Sequence, residues 1–376
     1  MALEAICCLI SQDVKITFSA AKWFYFALLS LSGLLTWLIR DYGDPLLERL
    51  DELEGCKSDD PNAEENCLGK AAVLRISFAT ALFHFTHAAL LVNCKYVEDP
   101  RKVFHTACPG AKWVIWAVLI FASFFMPDGF FRVYGELARA ASGLFLVFQA
   151  VVIIDFVYEL NEAMLDRGEC KWTLILLSLL AYTFSFTMMI LGYMFFAPRG
   201  TCSTNIFWIT FTLLLGIFVT ALSLSKWKIE NSGLFTSGAV IAYGSFLLIS
   251  ALNSQPSDSE CVEGGMAGGW IKVVAFLLAL GAVVVSTLTS GVSEVLPTGS
   301  SGEPLPYRPD FFHLIFGLAA MYLAMLFTNW SLEGSTNELD IDKGWRSAWV
   351  KIASQWLVFV VYTWTMVAHK VLDREF

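Results

Sequence analysis

The sequence predicts an all-α, polytopic membrane protein with about ten transmembrane helices, and three observations support this fold class. Hydrophobic residues make up 56% of the 376 positions and charged residues only 16%, whereas about 25% of a typical soluble domain is charged. Ten apolar runs, each a candidate membrane span, follow one another along the chain. All 11 prolines lie outside these runs or at their edges. Each run can therefore form an unbroken helix that satisfies its own backbone hydrogen bonds.

Each predicted span is an apolar run bounded by residues that end helices or face water. In chain order the runs are Ala20–Ile39, Ala71–Val92, Ala111–Met126, Gly135–Tyr158, Trp172–Phe196, Asn205–Leu224, Leu234–Leu252, Trp270–Ser290, Phe311–Asn329 and Ser347–His369. Prolines separate most of them, at positions 45, 61, 100, 109, 127, 198, 256, 297, 304, 306 and 309. Gly168 ends the fourth run, and charged residues separate the remaining ones. The third run is the shortest of the ten.

The fourth run belongs to a predicted helix that is longer than a bilayer requires. Asp128 can cap a helix after the turn at Pro127, and no proline follows before Gly168. About 36 helix-compatible residues span roughly 54 Å, whereas the hydrocarbon core is about 30 Å thick. We therefore expect this helix to cross at a steep tilt, to protrude, or both. It also carries ionisable residues, which are costly at membrane depth and need a reason.

The distribution of Lys and Arg predicts the orientation in the membrane. Ten spans place both termini on one side, and that side collects more Lys and Arg than the other. Both termini are therefore predicted to be cytosolic. We expect a single membrane domain over residues 1–376. On this topology residues 40–70 form an acidic lumenal or extracellular loop, whose composition is typical of a solvated loop, and residues 291–310 form a short cytosolic loop.

The cysteines divide between the two predicted sides. Cys56, Cys67, Cys202 and Cys261 fall in lumenal loops, where disulfides can persist. A Cys56–Cys67 disulfide would close the acidic loop, and a Cys202–Cys261 disulfide would link the third and fourth lumenal loops. The other five cysteines lie on or near the cytosolic side, where thiols stay reduced: Cys7, Cys8, Cys94, Cys108 and Cys170.

Three basic residues lie deeper than the first turn of a predicted span. Arg75, Arg139 and Lys351 are each one to two turns from the predicted lumenal end of their helix. One interpretation is snorkelling, in which the apolar stem is buried and the charge reaches the interface. The other is a shared pocket for a phosphate or carboxylate. Glu136 lies three residues before Arg139 on the same helix face, so we expect it to neutralise Arg139 in part.

The cytosolic end of the fourth helix carries an acidic stripe. Asp155, Glu159, Glu162 and Asp166 follow the spacing i, i+4, i+7, i+11 and share one face. We expect the last three to be solvated. Asp155 directly follows the apolar run Val151–Ile154, so we interpret it as functional or tightly paired. Gln149 is the other polar residue of this part of the helix.

No catalytic or metal-binding motif is convincing in this sequence. The motif of CDP-alcohol phosphatidylserine synthases, D-G-x2-A-R-x8-G-x3-D-x3-D, fails because Arg132 stands where Ala is required. There is no G-x-S-x-G, H-E-x-x-H or P-loop. His84 and His87 have the i, i+3 spacing of a metal pair, but without acidic ligands nearby we favour buried or interfacial histidines. We predict no enzyme, catalytic residue, metal or cofactor, and nothing indicates nucleic-acid binding.

Long ordered blocks of the chain resemble the serine incorporator family. They are FFMPDGFF at Phe124–Phe131, IIDFVYELNE at Ile153–Glu162, Asn231–Pro256, Phe311–Trp330 and Trp349–Phe376. The resemblance implies ten helices in two bundles joined by a long tilted fourth helix, with a lipid-facing groove. It also implies lipid handling, either as ATP-independent phospholipid scrambling or as support of serine incorporation into phosphatidylserine and sphingolipids.

The leading hypothesis is a non-enzymatic protein that moves or presents phospholipids along a polar seam beside the fourth helix. Arg75, Arg139 and Lys351 would meet head-group phosphate, and Gln149 and Asp155 would continue the polar path, because polar groups lower the cost of moving a charged head group through hydrocarbon. The alternative is a carrier or scaffold that delivers serine to lipid-synthesis enzymes. A weaker one is an amino-acid or ion transporter, since proline-broken helices are absent. We expect a multi-pass protein of the endomembrane system (ER or Golgi) or plasma membrane, and oligomerisation remains open.

Overall fold

A computed structural model describes residues 16–43, 61–166, 171–197, 202–229, 232–256, 261, 303, 305–330 and 344–372. Within these residues the regular structure consists of helices, and no β-strand is present. Several predicted features lie outside the described residues. They are the eighth span Trp270–Ser290, the loop residues 291–302, most of the acidic loop with Cys56 and the side chain of Cys67, and the cysteines Cys7, Cys8 and Cys170.

The described part of the chain contains ten α-helices and one short 3-10 helix, Pro100–Lys102. The α-helices are α1 (Phe18–Tyr42), α2 (Pro61–Leu90), α3 (Val103–Thr106), α4 (Pro109–Ser123), α5 (Asp128–Asp166), α6 (Lys171–Phe196), α7 (Ser203–Leu224), α8 (Leu234–Asn253), α9 (Pro309–Phe327) and α10 (Trp345–Leu372). Eight of them are long and apolar enough to cross a membrane. The third predicted span is present as α4, which has only 15 residues, whereas about 20 cross a bilayer upright. The predicted all-α, polytopic fold class is confirmed.

The long helix predicted from Asp128 onward is confirmed as one continuous element. α5 contains 39 residues, which corresponds to roughly 58 Å at 1.5 Å per residue. The chain separates into two compact units, and the division falls within α5, between Phe145 and Leu146. The first part of α5 therefore belongs to one unit and the remainder to the other.

The first unit comprises residues 1–145 and 280–342. Its described helices are α1 to α4, the first part of α5, and α9. Nearly every residue of α9 is buried, and α9 packs along α2, which also contacts α1 and α4. A side chain at Gly317 would meet the Phe85 ring at 2.5 Å, so this glycine permits the close approach of α9 and α2.

The second unit comprises residues 146–279 and 343–376. Its described helices are the remainder of α5, α6, α7, α8 and α10. α8 is the central helix and packs against α6, α7 and α10. A side chain at Gly244 of α8 would meet the Phe359 ring of α10 at 2.7 Å. Large apolar side chains such as Trp208, Phe359 and Tyr362 fill the core.

The disulfide predictions have mixed outcomes. The predicted Cys202–Cys261 disulfide is present in the second unit. Cys94 is a free, buried cysteine, as expected for a reduced thiol. The expectation of a reduced Cys108 is wrong, because Cys108 is disulfide-bonded. Its partner lies outside the described residues. A disulfide requires a particular separation and orientation of two cysteines, which the assignment of residues to membrane sides does not supply.

Candidate functional site: buried polar groups of the two units

A line of polar side chains runs along one face of α2 in the first unit. Lys70, Ser77, Thr80, His84 and His87 are spaced seven, three, four and three residues apart, which places them on one side of a helix. The first four are buried and His87 is half-buried. We call this set the α2 polar stripe. Polar groups without hydrogen-bond partners are costly in hydrocarbon. The partners of the stripe therefore show which helix contacts these polar groups stabilise.

The middle of the stripe ties α2 to its neighbours through hydroxyl groups. Ser77 Oγ donates to the Ala320 carbonyl at 3.0 Å and lies 2.8 Å from the Tyr134 hydroxyl. Thr80 Oγ1 lies 2.9 Å from Ser32 Oγ of α1. Trp116 of α4 donates its indole N–H to Thr80 Oγ1 at 3.0 Å. These bonds satisfy the polar groups at the helix contacts.

Near the C-terminal end of α2, the stripe continues through His84 into a chain of hydrogen-bonded rings, which we call the histidine chain. His84 Nδ1 lies 3.0 Å from His313 Nδ1, and His313 Nε2 lies 3.0 Å from His105 Nδ1. His105 Nε2 lies 2.6 Å from the Tyr307 hydroxyl, which donates to the Phe18 carbonyl at 2.9 Å. The three imidazoles are fully buried. The chain therefore joins α2, α9, α3 and the start of α1.

Two further groups surround the histidine chain. Lys112 Nζ donates to the His105 carbonyl at 2.8 Å, and the Tyr25 hydroxyl donates to the same oxygen at 3.0 Å. His105 lies outside the membrane-spanning segments. Burial, followed by the charge of Lys112, holds the pKa of its imidazole well below the usual range. His105 is therefore neutral near pH 7.

Arg75, a predicted lipid-contact residue, has protein partners at both terminal nitrogens of its guanidinium, and its buried Nε has no hydrogen-bond partner among the described residues. Its guanidinium forms an ion pair with Asp128 at 2.6 Å and donates to the carbonyls of Ala71 and Met126, each at 3.2 Å. It also lies 4.5 Å from the centre of the Phe131 ring. The side chain is fully buried. This ion pair links α2 to the first turn of α5, and a phosphate could reach Arg75 only if Asp128 moved.

The structure brings the predicted residues Glu136 and Arg139 together on α5. Arg139 donates to the Glu136 carboxylate at 2.8 Å and to the Trp330 carbonyl at 3.4 Å. Both side chains remain partly exposed, at 31% for Arg139 and 64% for Glu136. This pair is therefore accessible in a way that the Arg75–Asp128 pair is not.

The remaining predicted site residues belong to the second unit. Lys351 Nζ donates to Ser254 Oγ at 2.6 Å and to the Ser250 carbonyl at 3.3 Å. Gln149 is buried. Asp155 lines a cavity of about 250 Å³ between the remainder of α5, Ile229 and α10.

Two hydroxyl groups give the Asp155 cavity further polar lining. They belong to Tyr158 and Thr365, whose oxygens lie 3.2 Å apart. The rest of the lining is aliphatic: Val151, Ile154, Ile229 and Val361. Asp155 therefore lies in a mixed polar and apolar cavity.

A second cavity of about 420 Å³ opens between α6, α7 and α8 and is lined mainly by apolar side chains. We call it the apolar cleft. Its polar groups already have partners. Tyr182 and Thr220 bond to each other at 3.0 Å, and Ser185 donates to the Ala181 carbonyl at 2.7 Å. The cleft thus presents hydrocarbon to an occupant.

Sequence reasoning missed most of the partners just described. The sequence indicates only a helix cap at Asp128, whereas the structure makes this residue the ion-pair partner of Arg75. No local pattern connects His105, His313 and Tyr307, because more than 200 residues separate His105 from His313 in sequence. The polar periodicity of the α2 stripe is the signal that could have pointed to this face.

Comparisons with known proteins agree on one family. A family model described as "Serine incorporator (Serinc)" matches residues 1–302 and 297–374. A "Probable serine incorporator" from Dictyostelium discoideum is 29% identical, over 87% of this chain and 84% of the relative. "Serine incorporator 3" from Bos taurus is 26% identical, over 81% of this chain and 80% of the relative. "Serine incorporator 3" from Mus musculus is 24% identical, over 98% and 94%.

Proposed function

The chain belongs to the serine incorporator family, and from that premise we propose that it is a non-enzymatic membrane protein that moves or presents phospholipids. In this proposal the movement is ATP-independent scrambling, which supports phosphatidylserine and sphingolipid metabolism. The partners are membrane phospholipids, and the protein acts in the endomembrane system or the plasma membrane with both termini in the cytosol. No step requires a cofactor.

The observation that carries the proposal is the apolar cleft of the second unit. α6 and α7, which form most of the cleft, are candidate membrane spans and expose many large apolar side chains. Phe186 and Ile217 line the cleft and are more than half exposed. An acyl chain that enters the cleft exchanges one apolar surrounding for another, so little free energy is gained or lost. We therefore expect an acyl chain to pass through the cleft transiently and not to bind there tightly.

The same cleft disfavours serine as its occupant. Serine is a zwitterion at neutral pH, and a buried charge needs a partner of opposite sign or several hydrogen bonds. The polar groups of the cleft, Tyr182, Ser185 and Thr220, are already hydrogen-bonded within the protein. The chemistry of the cleft therefore favours a lipid tail over free serine.

The head group needs a separate polar surface, and we assign it to the predicted seam. Asp155, Tyr158 and Thr365 offer a carboxylate and two hydroxyls to a head group in the second unit. Lys351, which is not fully buried, would meet a head-group phosphate in the second unit, and the partly exposed Arg139 would meet one in the first unit. Gln149 is a further hydrogen-bonding group on α5. Arg75 would contribute only if a phosphate replaced Asp128.

Scrambling by the purified full-length protein tests the proposal. The protein is reconstituted into liposomes that carry a fluorescent phospholipid in both leaflets, and dithionite then bleaches the outer leaflet. We expect the fluorescence to fall well below the half that protein-free liposomes retain. Wild-type protein that leaves the inner leaflet protected would refute the proposal. Binding of labelled serine by such inactive protein would favour the serine-carrier alternative.

Two variants with matched controls locate the path. Ala221→Phe narrows the apolar cleft, whereas Ala117→Phe places the same ring at an exposed site on α4 of the first unit. Asp155→Asn removes the carboxylate of the polar cavity, and Glu162→Gln removes an exposed one on the same helix. We expect each cleft or cavity variant to slow scrambling severalfold and each control to retain the wild-type rate. Equal rates within each pair would exclude these two positions from the path.

A further inference from the structure

The histidine chain of the first unit has no part in lipid movement as proposed above, yet its hydrogen bonds define where each proton lies. The chain ends on a backbone carbonyl, because the Tyr307 hydroxyl donates to Phe18 at 2.9 Å. A hydroxyl has one proton to donate. The Tyr307 oxygen must therefore accept the hydrogen bond from His105 Nε2 at 2.6 Å. This assigns a proton to His105 Nε2.

The assignment propagates along the chain. Neutral imidazole carries a proton on one nitrogen only, so His105 Nδ1 is an acceptor and His313 Nε2 donates to it at 3.0 Å. By the same rule His313 Nδ1 is an acceptor, and His84 Nδ1 donates to it at 3.0 Å. The proton of His84 is thus on Nδ1. Its Nε2 is a buried lone pair without a hydrogen-bond partner among the described residues.

Counting protons gives the capacity of the chain. Each of the two N···N contacts needs one proton, and the bond to Tyr307 needs a third, which accounts for the three protons of three neutral imidazoles. A fourth proton can bind at His84 Nε2 without breaking any of these bonds. A fifth would place protons on both nitrogens of one N···N contact and break it. The chain can therefore take up one proton and no more while it stays intact.

The surroundings of the chain determine when this proton binds. No carboxylate contacts the three imidazoles in the described part of the protein, and Asp310, near the start of α9, is paired with Arg308 at 2.6 Å. Lys112 Nζ lies 2.8 Å from the His105 carbonyl oxygen, and a cation so close opposes a second charge. The titratable and charged groups that face the chain are Lys22 and Tyr25 from α1, His87 from α2, and Lys112 from α4. We therefore expect the chain to bind this proton only under acidic conditions.

We propose that the histidine chain is a one-proton binding site, in which His84 Nε2 takes up a proton from a solvent hydronium ion, which becomes water, and the imidazoles share its charge. In the balanced step an N–H bond forms at His84 Nε2 as the His84 Nδ1 proton moves to His313 Nδ1. The His313 Nε2 proton then moves to His105 Nδ1. In the state that this relay reaches, His105 is the imidazolium and the rings of His84 and His313 are neutral and tautomerised; the charge is shared because this state exchanges with the states in which His84 or His313 is the imidazolium. No bond of the chain is lost, and no oxidant or other reactant is needed.

Nitrogen NMR of the full-length protein in detergent tests the proposal directly. Imidazole ¹⁵N labelling of the five histidines distinguishes protonated from bare ring nitrogens. At pH 8 we expect bare nitrogens at His84 Nε2, His313 Nδ1 and His105 Nδ1. On acidification below about pH 6.5, the ordinary pKa of histidine, these three signals should shift together with the uptake of one proton. A bare Nδ1 on His84 at pH 8 would overturn the assignment, and unchanged signals down to pH 4 would overturn the site.

Two variants separate a shared site from independent histidines. His313→Gln interrupts both N···N contacts, so we expect His84 and His105 to titrate independently, with different midpoints. His369→Gln replaces the only histidine outside the first unit and should leave the common titration unchanged. If His313→Gln preserves the common titration, the proposal fails. If that variant does not fold, the wild-type signals alone decide the outcome. The experiment involves no lipid transport, so its result is independent of the proposed scrambling.

Discussion

Replacing Asp128 by Asn would leave the buried Arg75 guanidinium without its counter-charge. Arg75 is fully buried and its carboxylate partner lies at 2.6 Å, with a side chain only 26% exposed. Breaking a buried ion pair by removing one partner costs about 3–5 kcal/mol, because a charge is left uncompensated. The two carbonyl acceptors and the Phe131 ring remain in place, so we expect the lower end of this range.

Replacing Arg75, the other partner of this ion pair, should reduce the free energy of unfolding by less. Arg75→Met removes the buried charge itself and leaves Asp128, which water can partly reach. We therefore expect a loss of about 1–2 kcal/mol, from the lost hydrogen bonds and packing. The double variant should cost less than the sum of the two single variants, because neither charge is then left unpaired.

The Glu136–Arg139 pair of α5 provides a matched control. It is also a carboxylate–arginine pair at 2.8 Å, but its side chains are 64% and 31% exposed. Exposed pairs contribute about 0–1 kcal/mol and are screened by salt. Glu136→Gln should therefore have a small effect, which becomes smaller still in concentrated salt.

Thermal unfolding in one detergent, at fixed pH, compares these variants. Intrinsic tryptophan fluorescence and the monodisperse fraction after heating report the loss of the folded state. We expect the melting temperature to fall most for Asp128→Asn, less for Arg75→Met and least for Glu136→Gln. If Asp128→Asn melts no lower than Glu136→Gln, burial does not determine the strength of these pairs and the reasoning is wrong.

Two further predictions concern packing and thiol chemistry. Gly244→Ala should destabilise the second unit by about 1–3 kcal/mol, since the new methyl group would meet the Phe359 ring at 2.7 Å. Gly143→Ala should instead stabilise α5, because nothing lies within 4 Å of the added methyl group. Thermal unfolding compares the two variants. Burial raises the pKa of the Cys94 thiol to about 11 from 9.0, so its thiolate fraction at pH 8 is about a hundredfold lower than in the unfolded chain. Maleimide labelling read by mass spectrometry should therefore be slow until the protein is denatured, and fast labelling of the folded protein would contradict this.

The sequence predicts those features that depend on neighbouring residues. The length of α5 follows from an uninterrupted helix-compatible pattern between a capping turn and Gly168, and the described helix extends from Asp128 to Asp166. The Glu136–Arg139 contact follows from the i, i+3 spacing of one helix. Such features need no knowledge of how helices pack.

Long-range partners could not be predicted in the same way. Arg75 and Asp128 are 53 residues apart, and His84 and His313 are 229 apart. In the sequence, Arg75 and Lys351 lie at the same distance from the predicted lumenal end of their helices. Yet burial makes Arg75 a structural ion-pair partner, whereas Lys351 retains some exposure. Depth along a helix does not tell which face points to protein and which to lipid.

The buried polar groups serve different purposes in the two units. In the first unit the α2 polar stripe and Arg75 bond from helix to helix, so their loss should lower stability and leave any scrambling per folded molecule nearly unchanged. In the second unit the apolar cleft and the Asp155 cavity leave space of about 420 and 250 Å³, so their variants should alter transport at nearly constant stability. Measuring melting temperature and scrambling rate on the same preparations separates the two roles. A variant of the α2 polar stripe that folds normally and scrambles slowly would place this stripe in the lipid path.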